Sequence, residues 1–140
     1  MESVIRKTVV QAYLHAEYRI DSTPPCVLKI GQASTCLLGI YEYYGVNCAA
    51  FITAFNPLGR QYSPGENAVF QQRLLDQLAR QRKPVLQAAG IDPEHGWPDE
   101  GSVLVPGLEL APAREMGREY DQNAIVWCGP DAVAQLVLLR

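Results

Sequence analysis

The sequence has few histidines and no closely spaced cysteines, which argues against the usual metal and redox sites. Its 140 residues include two His and four Cys, at His15, His95, Cys26, Cys36, Cys48 and Cys128. No C-x-x-C pair occurs, and neither His lies at a metal-ligand spacing from a Cys. Asp99, Glu100 and Asp121 offer oxygen ligands without the spacing of a recognisable cage. We therefore predict no obligatory metal, no cofactor, and reduced, mostly buried thiols.

A surplus of positive charge is also absent. The 12 Lys and Arg are outnumbered by 15 Asp and Glu, which gives a formal net charge of -3. The densest basic group alternates with acidic and amide side chains on a predicted helix, which indicates a solvated face rather than a phosphate-binding one. That group consists of Arg73, Arg80, Arg82 and Lys83. We predict no nucleic-acid partner.

Long apolar runs are missing as well. The longest ones fall well short of the roughly 20 residues that a helix needs to span a bilayer. The first ten residues, MESVIRKTVV, lack both the uninterrupted apolar core and the small-residue cleavage site of a secretory signal. These absences predict a cytoplasmic protein without a membrane partner.

Named phosphate-binding and catalytic motifs do not occur. No G-x-G-x-x-G precedes a helix, and there is no G-x-x-x-x-G-K-[ST], so the backbone cradles for dinucleotides and for P-loop phosphates are both missing. Ser102 lies outside a G-x-S-x-G turn, and no Cys has an evident His partner. The sequence therefore names no reaction.

The pattern that is present predicts one domain, residues 1–140, of class α/β or α+β. The composition, 48% hydrophobic and 19% charged, is that of an ordinary globular domain. Helical periodicity and caps predict about four helices, and short apolar runs predict a central mixed sheet of about five or six strands with a C-terminal β-hairpin. Because crossover helices usually join parallel neighbours, we expect parallel pairs in this sheet. The predicted strands are CVLKI, NCAAFITA, VLQAAG, SVLVPG, AIVWC and AQLVLL.

Polar side chains follow the apolar strand NCAAFITA where it ends. Thr53 and Asn56 offer a hydroxyl and an amide that could orient a polar ligand. The competing interpretation is structural, because Asn before Pro57 commonly forms an Asx turn with its own backbone. Asn67 lies near the start of the next predicted helix, where Ser63 is a candidate cap and free amides could bind an anion. Ligand binding and turn formation both remain open here.

A second group of polar residues lies in WPDEGSVLV, at the end of a predicted long loop over residues 90–101. Glu100 lies near Trp97, where its pKa could be raised toward service as a general acid or base, and Ser102 is a candidate ligand contact. The competing interpretation is a solvated loop acid beside an aromatic anchor. Gln122 and Asn123, in YDQNAIVW, offer paired amides just before a strand, where a turn is again the simpler alternative.

Four segments, AFITAFNP, SPGEN, WPDEGSVLV and YDQNAIVW, resemble an uncharacterised bacterial family, domain of unknown function 3293. The resemblance spans about residues 13–128. The matching positions are Ile52, Thr53, Ala54, Asn56, Pro57, Ser63, Asn67, Trp97, Glu100, Ser102, Leu104 and Val105. Phe55 stands where the family has Trp, and Tyr120-Asp121-Gln122 stands where it has Phe-Gly-Gln. The resemblance supports this map of motifs and implies no particular activity.

Three hypotheses about function follow. The preferred one is binding of a small polar or anionic ligand at the strand-end loops, with an enzymatic role for Glu100 left open. The second is a protein-interaction module anchored by Trp97, without enzymatic activity. The third makes the same polar residues local caps and turns around one core. To separate them, we predict that the Asn56 side chain turns toward Glu100 or Gln122 rather than toward bulk water.

Overall fold

The computed structural model describes residues 3–140, and its elements begin and end close to the caps and breakers in the sequence. The order is α1 (Lys7–His15), β1 (Glu17–Ile20), β2 (Cys26–Leu28), α2 (Thr35–Tyr44), β3 (Ala49–Ile52), α3 (Pro64–Arg80), β4 (Leu86–Ile91), β5 (Glu100–Pro106), α4 (Leu110–Glu119), β6 (Ala124–Cys128) and β7 (Ala134–Leu138). One turn of 3-10 helix, Pro57–Gly59, lies between β3 and α3.

The ends of α2 and α3 have the predicted capping chemistry. The Ser34 hydroxyl accepts a hydrogen bond from the Leu37 amide at 3.1 Å, and Gly45 closes α2 in the left-handed region with φ of 66°. At the start of α3, Ser63 and Glu66 form a reciprocal capping box. These local interactions confirm the predicted starts of both helices.

The fold is of class α+β, and its sheet is wholly antiparallel. The prediction of a mixed sheet with parallel neighbouring strands is therefore wrong. Seven strands follow the order β2-β1-β4-β5-β3-β6-β7, and each neighbouring pair is antiparallel. The crossover helices do join strands of the same direction, but an antiparallel strand lies between them. α3 joins β3 to β4 across β5, and α4 joins β5 to β6 across β3. The predicted four helices and the β6–β7 hairpin are confirmed, and the strand count is slightly higher than predicted.

The middle of the chain consists of two successive split β-α-β units. From β3 to β6 the elements run β-α-β-β-α-β, and their strands occupy the sheet in the order β6-β3-β5-β4. This is the ferredoxin-like arrangement. β1 and β2 extend it at one edge and β7 at the other, so β3 and β5 lie centrally.

Two apolar cores cover the two faces of the sheet. Alternate residues of β3 point to opposite faces, as a strand requires: Ala49 and Phe51 pack with the α2 side, and Ala50 and Ile52 pack with the α3 and α4 side. All four β3 residues are buried. This explains why β3 appears as a continuous apolar run although its neighbours are antiparallel.

α3 is amphipathic along its 17 residues. Leu74 and Leu78 are fully buried against the sheet, whereas Arg73 and Arg80 are exposed, as predicted for a solvated basic face. Among residues 3–140, no helix has both the length and the apolar character needed to cross a membrane.

The prediction that all cysteines are reduced is wrong for one pair. Cys26 in β2 and Cys36 in the first turn of α2 form a disulfide with a Cα–Cα separation of 5.8 Å. The two residues are ten apart in sequence, and only the return of α2 over β2 brings them together. Cys48 and Cys128 are free and buried, as predicted.

Candidate functional site

The polar residues that the sequence distributes over three segments meet at one end of the sheet. Antiparallel pairing places Ile52, the last residue of β3, opposite Val103 near the start of β5. Residues that follow β3 therefore lie beside residues that begin β5. The segment before β6 reaches the same end, since β6 also pairs antiparallel with β3. The site therefore combines the end of β3 with the beginnings of β5 and β6.

Asn56 is the centre of the hydrogen-bond network. Its backbone is left-handed, with φ of 51° and ψ of 58°, a conformation that Asn tolerates better than most residues. The side-chain Oδ1 accepts from the Tyr62 amide at 3.0 Å, and Nδ2 donates to Glu100 Oε2 at 2.9 Å. The prediction that this amide turns toward Glu100 is confirmed, and the residue both shapes its loop and contacts the carboxylate.

Asn67 fixes the position of Asn56 from α3. Its Oδ1 accepts from the Asn56 backbone amide at 2.8 Å, and its Nδ2 donates to Asn56 Oδ1 at 3.0 Å. Asn67 is 5% exposed, so it does not offer its amide to solvent. Asn67 holds in place Asn56, the residue that contacts the Glu100 carboxylate. The ligand contact predicted for Asn67 would therefore be indirect.

Glu100 is a partly buried carboxylate without a cationic partner. Burial raises its pKa, and the hydrogen bond from Asn56 lowers it by a smaller amount, so the net shift is upward. Among residues 3–140 the ion pairs are Arg19–Glu17 and His95–Asp92, and neither involves Glu100. Its second oxygen, Oε1, makes no hydrogen bond within the described chain.

The remaining predicted residues use part of their hydrogen-bonding capacity on the backbone. Thr53 Oγ1 donates to the Gly101 carbonyl at 2.6 Å, and Ser102 Oγ donates to the Glu100 carbonyl at 3.0 Å. Gln122 Nε2 donates to the carbonyls of Phe55 and Tyr120 at 3.0 and 3.2 Å. Thr53 Oγ1 also accepts from the Phe55 amide at 3.0 Å. These bonds tie the strand ends together, as the structural interpretation expected, and leave the Ser102 hydroxyl oxygen and Gln122 Oε1 able to accept further hydrogen bonds.

These residues line a small, partly open cavity, which we call the inner cavity. It has a volume of about 80 Å³, which suits a head group of a few atoms rather than a whole ligand. Thr53, Asn56, Glu100, Ser102 and Gln122 line it, while Asn67 lies behind Asn56. Its walls also include four aromatic rings, those of Tyr13, Tyr18, Phe51 and Phe55.

A larger hollow, which we call the outer groove, adjoins the inner cavity. It has a volume of about 520 Å³ and shares Tyr13, Asn56 and Glu100 with the inner cavity. α1 forms one side of this groove, and Trp97 lies on another. The Trp97 side chain is 45% exposed and stacks on His95, with ring centroids 5.3 Å apart. The two hollows together have the dimensions of a ligand site.

Two residues of the site, Tyr13 and Tyr18, were not singled out in the sequence, and Asn123 was singled out only as one of a pair of amides with Gln122. Tyr13 and Tyr18 come from α1 and β1, and the Tyr18 hydroxyl donates to the Tyr13 carbonyl at 2.5 Å. Asn123 donates from Nδ2 to the Tyr13 hydroxyl at 3.1 Å. The apolar spacing of α1 assigns Tyr13 to a core-facing position without indicating that its hydroxyl reaches a polar site. Only the amide pair Gln122-Asn123 carried a signal in the sequence.

Other places on the surface fit a site less well. A hollow of about 490 Å³ lies between α3 and the end of α4, lined by charges of both signs that include Arg73, Arg80, Asp76 and Glu119. None of the predicted residues lines it. Among residues 3–140, no three His, Cys, Asp or Glu side chains come together in a group that could hold a metal ion.

Comparison with known proteins gives one match. No curated protein and no solved structure matches the chain. A family model, described as a protein of unknown function, covers residues 52–125, from the end of β3 into β6. This range holds more than half of the chain and all six predicted site residues, whereas Tyr13 and Tyr18 lie outside it. The chain therefore belongs to the DUF3293 family, as its motifs predicted.

Proposed function

We propose that this protein binds a small polar ligand in the inner cavity, with Glu100 as the residue that recognises it. The observation that carries the proposal is the Asn56–Glu100 hydrogen bond on the cavity wall, 2.9 Å long. A turn in this loop would need only the Asn56 side chain, yet the Asn67 side-chain amide also holds Asn56 in position. This arrangement presents a carboxylate at a defined place in a cavity, which is what a binding site requires.

The same geometry supports a role for Glu100 as a general acid or base. Burial raises the pKa of its carboxyl, and a carboxyl with a raised pKa exchanges its proton closer to neutral pH. Asn56 occupies Oε2, so Oε1 is the atom that would give or take the proton. We propose binding as the primary function and proton transfer as the chemistry that Glu100 could supply to a bound substrate.

An anionic ligand fits the inner cavity poorly. Glu100 is the charged side chain on its wall, and a carboxylate repels an anion at close range. The outer groove carries Arg6 and Arg140 together with Asp92, so any anionic part of a ligand would lie there. The proposal therefore keeps a polar ligand and assigns an anionic group only to the groove.

A thermal-shift screen of small polar compounds tests the proposal. Compounds that raise the Tm of the wild type are tested again with Asn56→Ala and Glu100→Gln. Asp99→Asn is the matched control, because it removes a neighbouring carboxylate that is exposed and lies outside the cavity. We expect the two site variants to lose the response and the control to keep it. An undiminished response in both site variants would remove these residues from the binding site.

The protein-interaction alternative rests on the exposure of Trp97. An exposed, stacked indole beside a groove is a common anchor at interfaces. A pull-down with Trp97→Ala tests it, with Tyr43→Ala as a control because Tyr43 is 83% exposed and remote from the groove. Selective loss of a captured partner with Trp97→Ala, in a variant that stays folded, would favour the interaction module over ligand binding.

A cytoplasmic location in a bacterial cell remains part of the proposal. The Cys26–Cys36 disulfide adds a condition, since cytosolic thiols are normally kept reduced. In the cytoplasm, Cys26 and Cys36 would therefore be present mostly as reduced thiols. Cell fractionation combined with trapping of free thiols separates a reduced cytoplasmic form from an oxidised form in another compartment.

A further inference from the structure

The charged residue that lines the inner cavity is an acid, and the nearby Arg140 guanidinium is bound instead to Asn123, where Nη1 donates to Oδ1 at 2.6 Å. Of the residues that line it, Glu100 is the one that carries a formal charge, and no Lys, Arg or His of the described chain is among them. A buried carboxylate usually has a cationic partner. Here a neutral amide, that of Asn56, takes the place where a cation would be expected.

Two side-chain oxygens of the cavity lining, Glu100 Oε1 and Gln122 Oε1, are hydrogen-bond acceptors without a partner among the described residues. Gln122 donates both of its established hydrogen bonds through Nε2 to carbonyls, which fixes its Oε1 as the free end. Within residues 3–140, no side-chain oxygen or nitrogen is both fully buried and without a partner. The free oxygens of Glu100 and Gln122 therefore face open space. A ligand rich in N–H donors would satisfy them, whereas a ligand that only accepts would not.

The aromatic walls favour the same kind of ligand. Tyr18 and Phe51 pack edge to face, with ring centroids 5.2 Å apart, and Tyr13 and Phe55 line the same cavity. The face of an aromatic ring attracts a cation and repels an anion. Glu100 lies close enough to Tyr13 and Tyr18 that its negative charge raises the pKa of both phenols, after the larger effect of burial. The rings and the carboxylate thus surround one small space.

From these observations we infer that the ligand carries a compact cationic group, an amine or a guanidine, that enters the inner cavity and pairs with Glu100 between the aromatic rings. This inference rests on the proposed function and names its ligand class. The rest of the ligand would lie in the outer groove, whose charged residues Arg6, Asp92 and Arg140 include both signs and select no single charge. A cavity of about 80 Å³ limits the group that enters to a few heavy atoms.

Binding of a cation should be linked to the protonation of Glu100. A cation favours the ionised carboxylate, so it lowers the pKa of Glu100 and binds more tightly as the pH rises. The other titratable groups near Glu100 are the phenols of Tyr13 and Tyr18, whose pKa values are raised above the ordinary value of 10.0. These phenols therefore stay neutral in the range where Glu100 titrates. The nearby cationic group is the Arg140 guanidinium, which donates to Asn123 Oδ1 at 2.6 Å.

Guanidinium and urea form the sharpest test, because the two are planar, nearly the same size and differ in charge. Each is titrated into the protein at low, non-denaturing concentration and matched ionic strength, and the carboxyl carbon of Glu100 and the amides of Gly101 and Ser102 are followed by NMR. We expect guanidinium to bind with a dissociation constant on the order of millimolar, as suits four heavy atoms. It should bind at least about threefold more tightly at pH 8 than at pH 4, because a carboxyl with a pKa above the ordinary value is mostly protonated at pH 4.

Two variants make the result specific. Glu100→Gln retains an oxygen to accept the Asn56 hydrogen bond but has no charge, and it should lose the guanidinium response. Asp99→Asn should retain the response. Urea should leave the spectrum of the inner cavity unchanged in all three proteins, since it offers donors without the positive charge.

The outcomes separate this inference from the proposed function. If urea binds the inner cavity as tightly as guanidinium, the cationic ligand class is wrong while a polar ligand site is retained. If neither probe perturbs the cavity, the inference is overturned, and the thermal-shift screen with Asn56→Ala decides the proposed function independently. A guanidinium response that survives in Glu100→Gln would also overturn it.

Discussion

The side chain of Asn67 makes two hydrogen bonds with Asn56, one to its backbone amide at 2.8 Å and one to its side-chain oxygen at 3.0 Å. A residue of α3 thereby fixes a residue of the β3–α3 loop, and that residue in turn contacts Glu100 at 2.9 Å. Because the Asn67 side chain is buried, its position does not depend on contact with solvent. The Glu100 carboxylate is consequently held in place by two amide side chains, that of Asn56 and behind it that of Asn67 in α3.

Removal of Asn67 should loosen this support. Asn67→Ala leaves the Asn56 amide without its acceptor in a buried setting, and we expect a loss of about 1–3 kcal/mol in the free energy of unfolding. Urea denaturation measures it. Asn47→Ala is the control, since Asn47 is exposed, and it should change stability by less than about 0.5 kcal/mol. Equal small effects in both variants would mean that the amide pair contributes little.

Stability should depend on pH through Glu100. Burial raises its pKa in the folded protein, so the folded state binds this proton more tightly than the unfolded state. Its contribution is fully present below the unfolded pKa, about 4.3, and is lost as the pH rises through the folded value. Glu100→Gln has no such loss and should gain Tm relative to the wild type between about pH 4 and pH 8.

The matched control for that experiment is Asp99→Asn, which changes the net charge equally at an exposed neighbour. Its Tm difference from the wild type should change less over the same pH range than that of Glu100→Gln, because Asp99 is exposed. A constant difference for Glu100→Gln would show that the folded and unfolded proteins hold the Glu100 proton equally tightly.

The four cysteines should divide into two classes. Under denaturing conditions without reductant, alkylation should label Cys48 and Cys128, and prior reduction should add Cys26 and Cys36. In the folded protein the two free thiols should react slowly, because burial raises the pKa of both, that of Cys128 to about 12. Reduction of the disulfide should lower the free energy of unfolding by about 2–4 kcal/mol. Mass spectrometry and urea denaturation provide the two measurements, and four labelled thiols without reductant would contradict the pairing.

Gly101 leaves room for the Phe55 ring, which lines the inner cavity. A Cβ at this position would lie 3.0 Å from the Phe55 ring, so Gly101→Ala should displace one of the aromatic walls. We expect a destabilisation of about 1–3 kcal/mol together with a weaker response to any ligand of the cavity. For the stability measurement, Gly90→Ala is the control, since a Cβ there has nothing within 4 Å. It does not control for the ligand response, because Gly90 itself lines the inner cavity. Gly101→Ala with unchanged stability would show that the ring moves freely.

The positions of the helices were predictable because their signals are local. A cap such as Ser34 acts on an amide three residues away, and Gly45 ends α2 by its own backbone conformation. The motif around Asn56 could also be recognised, since the Asn-Pro sequence and its polar neighbours are contiguous. Periodicity contains no information about which strand pairs with which, so the parallel neighbours expected from the crossover helices were wrong.

By itself, the sequence determined where the helices and most strands lie, the caps that bound α2 and α3, and the residues that belong to the DUF3293 motifs. Tertiary structure decided the antiparallel strand order, the Cys26–Cys36 pairing and the addition of Tyr13 and Tyr18 to the cavity. The physical reason is the distance along the sequence over which each interaction acts. Capping and periodicity act within a few residues, whereas the contact between Asn56 and Glu100 spans 44 residues and exists only once β3 and β5 lie side by side.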